Sequence, residues 1–148
     1  MPLQAYDWTC SVCSVTWVLQ ATATVYQDTD IYEARTAVGT QMGYPSCVNP
    51  TYGSMSAQCV IDTFAAYGLI ARQLYVTFDQ AYAIARTHTG TINPQAMYHY
   101  MAIRGISGSD IAVANSASPG YMGVYSTLSR DQFNALGPVS VVLIESRA

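Results

Sequence analysis

The hydrophobic period of the chain changes near its middle. Up to about residue 68 the apolar positions recur at helical spacing, and beyond it they alternate or run together as in strands. In "TCSVCSVTWVLQATATV", Val12, Val15, Leu19 and then Thr22 or Ala23 share one face, which predicts a helix from Thr9 or Cys10 to about Val25. Asp30 and Glu33 have capping-box spacing, and Gly39 is placed to close a short second helix. "MGYPSCVNPTYGS" has loop chemistry. Ser54 or Ser56 opens a third helix, with Val60, Ile61, Phe64 and Ala65 buried and Gly68 as its stop.

Beyond Gly68, "RQLYVTF" reads as a strand, and Thr77 with Gln80 caps a short helix through Arg86. "YHYMAIRG" (98–105) alternates as a strand, "SGSD" is a tight turn, and "IAVAN" (111–115) is the returning strand of that hairpin. Ser129 and Gln132 box one more short helix ending at Gly137, and "VSVVLIE" is a final buried strand. Helices first and an antiparallel sheet second make an α+β fold. No repeat, low-complexity tract or linker interrupts it, so residues 1–148 read as a single domain.

Composition narrows the function. With 51% hydrophobic and 10% charged residues, the chain can bury a core without leaning on disulfides. The net charge is -3, there is no lysine, and the six arginines are scattered, so there is no basic stripe for a nucleic acid. No apolar run is long enough to span a bilayer. "MPLQAYDW" lacks the charged and apolar regions of a signal peptide. Four cysteines allow two disulfides in an oxidising compartment and stay as thiols in a reducing one.

The pair Cys10–Cys13 is the most informative feature. A structural zinc site needs a second close ligand pair, and Cys47/Cys59 and His88/His99 are too widely spaced to make one. A redox Cys-x-x-Cys follows a strand, and nothing before Gln4 can form it. Cys13, among Val12 and Val15, suits a core thiol or half-cystine. Cys10 is different, because a thiol at a helix N-terminus has its thiolate favoured by the helix dipole. Such a nucleophile needs a base, an orienter for the base and oxyanion donors. His99 and Asn115 should sit side by side at the open end of the hairpin, where an amide oxygen can hold the imidazole tautomer. Gln4, six residues before Cys10, is near enough to donate to the oxyanion. Singly, each has a plainer reading: a hydrogen-bonded strand histidine, a strand terminator, a residue near a frayed end. His88 reads as exposed loop, Tyr98 and Tyr100 as core.

Gln4, "DWTC" ending at Cys10, "YHYMAIRGISGSDIAVANSAS" with His99 and Asn115, and the closing "FNALGPVSVVLIE" together resemble the papain-like cysteine peptidases. The nearer likeness is to the bacteriocin-processing branch, the double-glycine leader peptidase domains, and to similar peptidase modules of phage lysins. The chain departs from the family pattern at Ser11, usually Gly, and at Ser116, usually Pro. The resemblance implies N-terminal helices packed on a C-terminal antiparallel sheet. It implies Cys10 as nucleophile, His99 as base, Asn115 as its orienter, and Gln4 with the Cys10 backbone N–H at the oxyanion. It implies a peptide substrate and neither cofactor nor metal. With no transporter attached to the chain, a cell-wall peptide cut by a lysin-type endopeptidase stands ahead of a leader peptide. Such a lysin stays in the cytoplasm until released to the wall. The alternative is a non-catalytic peptide-binding domain on the same fold, with Cys10 in a disulfide.

Overall fold

The computed structural model describes residues 10–22, 37–41, 48–49, 54–95, 99–115 and 124–147. The first helix, α1, is Cys10–Thr22, and α2 is the helical stretch 37–41. Two short strands follow, β1 (Val48–Asn49) and β2 (Ser54–Met55), then α3 (Ala57–Ala66), β3 (Leu69–Val76) and α4 (Phe78–Thr87). The remainder is β4 (Gly90–Pro94), β5 (Met101–Ser107), β6 (Asp110–Asn115), β7 (Val124–Leu128), α5 (Arg130–Ala135) and β8 (Val139–Arg147).

Strands β3 to β8 form a six-stranded antiparallel sheet in the order β3-β8-β4-β5-β6-β7. The α+β class expected from the sequence is the observed one. Alternation along the strands deals side chains to two cores. Tyr100, Ala102, Ala114, Val142 and Ile144 pack with α1, α3 and Val38 of α2. Met101, Ile103, Ile111, Val113, Val141 and Leu143 pack with Phe78, Ala81 and Ala85 of α4 and Phe133 of α5. Helices therefore cover both faces, whereas the sequence reading set only the N-terminal helices against the sheet. The near-continuous burial from Val139 to Ile144 and from Ile111 to Ala114 explains this, since strands apolar on both sides must be covered on both.

Local signals place most element ends. Ser56 caps α3 by accepting from the Cys59 N–H, and Gly68, at φ 81°, follows its end. Thr77/Gln80 and Ser129/Gln132 form complete capping boxes on α4 and α5. Other expectations are corrected. Gly39 lies inside α2, which runs on to residue 41. Ala65 is exposed and Thr63 takes its place in the core, its hydroxyl donating to the Cys59 carbonyl at 2.8 Å. Strand β3 begins at Leu69, and Phe78 belongs to α4. Part of the expected loop pairs as β1 and β2. Helix α1 has no single apolar face, being buried from Val12 to Leu19 except for a partly exposed Trp17, as a central helix is. Asp30 and Glu33 lie outside the described residues.

Strands β4 and β7 have no counterpart in the sequence reading. β4 sits in the sheet interior between β8 and β5. Gly90 begins it where any side chain would collide with the Val142 carbonyl, and Pro94 ends it. Gly and Pro at its two ends are residues that weaken a strand signal in sequence.

Candidate active site

The hairpin of β5 and β6 builds the centre of the site. Its register runs Ser107↔Asp110, Ile106↔Ile111 and Gly105↔Ala112, then shifts to Ile103↔Val113 and Ala102↔Ala114. The shift is a bulge that takes up Arg104, with Gly105 at φ 143° beside it. Continued by one residue, the register sets Met101 opposite Asn115. His99 and Tyr100 lie just ahead of β5, outside the strand, which corrects the strand start expected at residue 98. His99 is thus two positions beyond the direct partner of Asn115 rather than facing it. A diagonal neighbour of this kind is within reach of a long side chain. Without the bulge Asn115 would stand opposite Ala102, one position further from His99.

The reach is made. His99 Nε2 and Asn115 Oδ1 are 2.6 Å apart. An amide oxygen only accepts, so Nε2–H donates and Nδ1 is left with its lone pair. Burial pushes the His99 pKa below its ordinary 6.5, and the bond to Asn115 opposes that shift by supporting the charged ring. The result is a neutral, oriented base whose protonated form has a partner waiting.

Cys10 is the first residue of α1, where the helix N–H groups are unpaired within the helix and the dipole favours a thiolate. One turn further on, the Ser14 hydroxyl donates to the Tyr100 carbonyl at 3.0 Å, fully buried. The sequence reading passed over Ser14. Its signal was a small polar residue in an otherwise apolar stretch, four positions from Cys10. Cys13 is a buried thiol, as its neighbours suggested. Cys59 is disulfide-bonded. Gln4 and Cys47 lie outside the described residues, as do Asp7, Trp8 and Tyr98. His88 is exposed at the end of α4, its Nδ1 2.7 Å from the Thr87 hydroxyl, and takes no part in the pair. Tyr100 is core. Among the described residues no three His, Cys, Asp or Glu side chains gather as a metal site, and no helix is long and apolar enough to cross a membrane.

No family model matches the chain, and no curated protein matches it in sequence. Among solved structures it is similar to a double glycine motif protease from an AMS/PCAT transporter, crystallised in complex with the leader peptide. The likeness covers 98% of this chain and 91% of that chain at a TM-score of 0.59, with 16% sequence identity. At that identity it is a likeness of fold, extending from α1 through the sheet to β8.

Proposed function

We propose that the protein is a papain-like cysteine peptidase. The observation that carries the reading is the 2.6 Å bond between His99 and Asn115, which leaves Nδ1 as the base. Two further features support it. Ser14 ties α1 to the residue next to His99, and Cys10 is one turn, about 5.4 Å of helix, before Ser14. The shared fold with a double glycine motif protease points to the same chemistry.

In this reading the Cys10 thiol gives its proton to His99 Nδ1 as Sγ attacks the peptide carbonyl carbon. Asn115 Oδ1 stabilises the imidazolium through Nε2–H. The Cys10 backbone N–H and the Gln4 amide hold the oxyanion. When the tetrahedral species collapses, the C–N bond breaks and His99 Nδ1–H protonates the leaving amine. A water then attacks the thioester, giving its proton to His99. The C–S bond then breaks, the acid product leaves, and the Cys10 thiolate takes the proton back from His99.

The substrate is a peptide. The neighbour's leader peptide supports a leader-type substrate, and nothing described here supports the cell-wall peptide that the sequence reading placed first. A second reading, a peptide-binding domain without turnover, is favoured by one observation, the disulfide at Cys59. Catalysis requires Cys10 as a thiol, and therefore Cys47 as the partner of Cys59.

The test is peptide mapping of the non-reduced protein, followed by incubation with double-glycine leader peptides and with wall peptides. A Cys47–Cys59 linkage and cleavage that is lost in Cys10→Ala supports the peptidase. A Cys10–Cys59 linkage, or tight peptide binding without cleavage after reduction, establishes the binding domain instead.

A further inference from the structure

His99 must hold its ring in one place, yet it lies in a segment ahead of β5, described at His99–Tyr100, that belongs to no strand there. Both carbonyls of that segment meet side-chain donors from neighbouring elements. The Tyr100 carbonyl accepts from Ser14 Oγ of α1 at 3.0 Å. The His99 carbonyl meets the amide of Asn93, on β4. With its nitrogen toward the carbonyls beside it, Asn93 donates to His99 O at 2.7 Å and to Pro94 O at 3.1 Å. The opposite orientation would set the amide oxygen against both carbonyl oxygens.

Asn93 is itself braced. Gln95 Nε2 donates to the Ser140 hydroxyl of β8 at 2.8 Å and to the Asn93 carbonyl at 3.4 Å, while the Gln95 N–H donates to Pro138 O at 3.0 Å. The end of β4 is therefore tied to β8 on one side and to His99 on the other. Ser14 makes the matching tie from the helix that begins at Cys10.

We infer that Ser14 and Asn93 are positioning residues that clamp the His99–Tyr100 backbone between α1 and β4, setting the imidazole against both Asn115 and the start of α1. The inference rests on the peptidase reading of His99. Ser14 and Asn93 act through His99 and touch no substrate. The physical need is clear: a base misplaced by about 1 Å can cost two orders of magnitude in rate. Ladder hydrogen bonds fix a residue within a strand, whereas one just outside a strand depends on side chains such as these.

The experiment uses the full chain, with Ser14→Ala, Asn93→Ala and the same-shaped Asn93→Asp, which keeps volume but removes the donor. Two readouts are taken from each variant: the imidazole nitrogen resonances of His99 and the rate at which iodoacetamide alkylates Cys10. The protein has two histidines, so His88 serves as the internal reference. The wild-type protein should show one His99 tautomer with a hydrogen-bonded Nε2–H. In each variant that signal should weaken or mix with the other tautomer, and Cys10 alkylation should slow about tenfold or more. The double variant should lose less than the product of the single losses, since both donors act on one segment.

A lower melting temperature with unmoved His99 resonances and unmoved alkylation overturns the inference and leaves two packing residues. If Ser14→Ala does not fold, the half-buried Asn93 position carries the test alone. The peptidase reading fails separately. It is overturned if Cys10 in His99→Ala alkylates as fast as in the wild type, whereas the resonances report on the clamp whatever the thiol does.

Discussion

On the sheet face covered by α1 and α3, the described core includes five buried hydroxyl side chains: Ser14, Thr16, Thr63, Thr91 and Ser140. Thr91 and Ser140 belong to this face because they alternate with Ile92, Val139 and Val141, which pack on the other side. Among the described residues, the face covered by α4 and α5 buries none. Its core is aliphatic and aromatic, with Phe133 edge-on to Phe78 at 5.6 Å between ring centres. The contrast is chemical. A buried hydroxyl costs free energy unless it is bonded, and all but Thr91 of these five have partners among the described residues. Thr16 and Thr63 bond back to their own helices. Ser14 and Ser140 reach across elements, Ser14 donating to the Tyr100 carbonyl and Ser140 accepting from Gln95 at the end of β4. Both faces bury apolar cores, and the first adds hydroxyls, two of which tie separate elements together. At the rim of the apolar face, Arg130 stacks over Phe78 and pairs with Asp79, and that exposed pair adds little in water.

Substitutions at the candidate site and at the hydroxyls that tie it to other elements should disturb chemistry out of proportion to stability, and those in the core under α4 and α5 the reverse. The largest effect belongs to the candidate site. Cys10→Ala and His99→Ala should each lower peptide turnover by about four orders of magnitude or more, with the melting temperature nearly kept. Asn115→Ala should cost less, roughly 10- to 100-fold, because the base remains and only its orientation is lost. Gln4→Ala should cost on the order of 100-fold as a lost oxyanion donor. Turnover unchanged in all four would overturn the peptidase reading.

Next is the apolar face. Phe133, 3% exposed, should cost about 3–5 kcal/mol of stability when changed to Ala, measured by denaturant unfolding. The alkylation rate of Cys10 in the folded fraction should be unchanged. A parallel loss of reactivity would show that the two faces are not separable.

A smaller change sharpens the polar side. The Thr91 hydroxyl is fully buried and has no hydrogen-bond partner among the described residues. Thr91→Val keeps the shape and removes the unmet group, so it should stabilise by about 1 kcal/mol. Destabilisation on chemical unfolding would mean that the hydroxyl is bonded to a water.

The smallest effect is the pH dependence. Burial holds the folded-state pKa of His99 below the unfolded value of about 6.5. Between those two values the unfolded chain binds more protons, so stability rises with pH there. The contribution is complete above 6.5 and is lost as pH falls toward the folded-state value. Unfolding measured from pH 8 down to pH 5 should show this slope, and His99→Gln should flatten it. A slope of opposite sign would mean that the ring is stabilised in its charged form.

Much of this molecule could be read from its sequence because the signals are short-ranged. A capping box needs four residues, so Thr77/Gln80 and Ser129/Gln132 were legible. The tight turn at Gly108, at φ 60°, aligned the hairpin and brought His99 and Asn115 toward the same end. Cys10 at a helix start needed only the apolar period that follows it. Tertiary structure decided the rest. Strand β4 is hidden by its own Gly90 and Pro94 and exists because β8 and β5 pair on either side of it. The division of the helices between two faces depends on which strand side each can cover. The bulge at Arg104 changes which residue Asn115 opposes, and Gly105 permits it without fixing the register. Ser14 meets the Tyr100 carbonyl across 86 positions of chain. Period and turn chemistry act over a few residues, whereas a contact between distant carbonyl and hydroxyl groups comes into being only when the packed core brings their elements together.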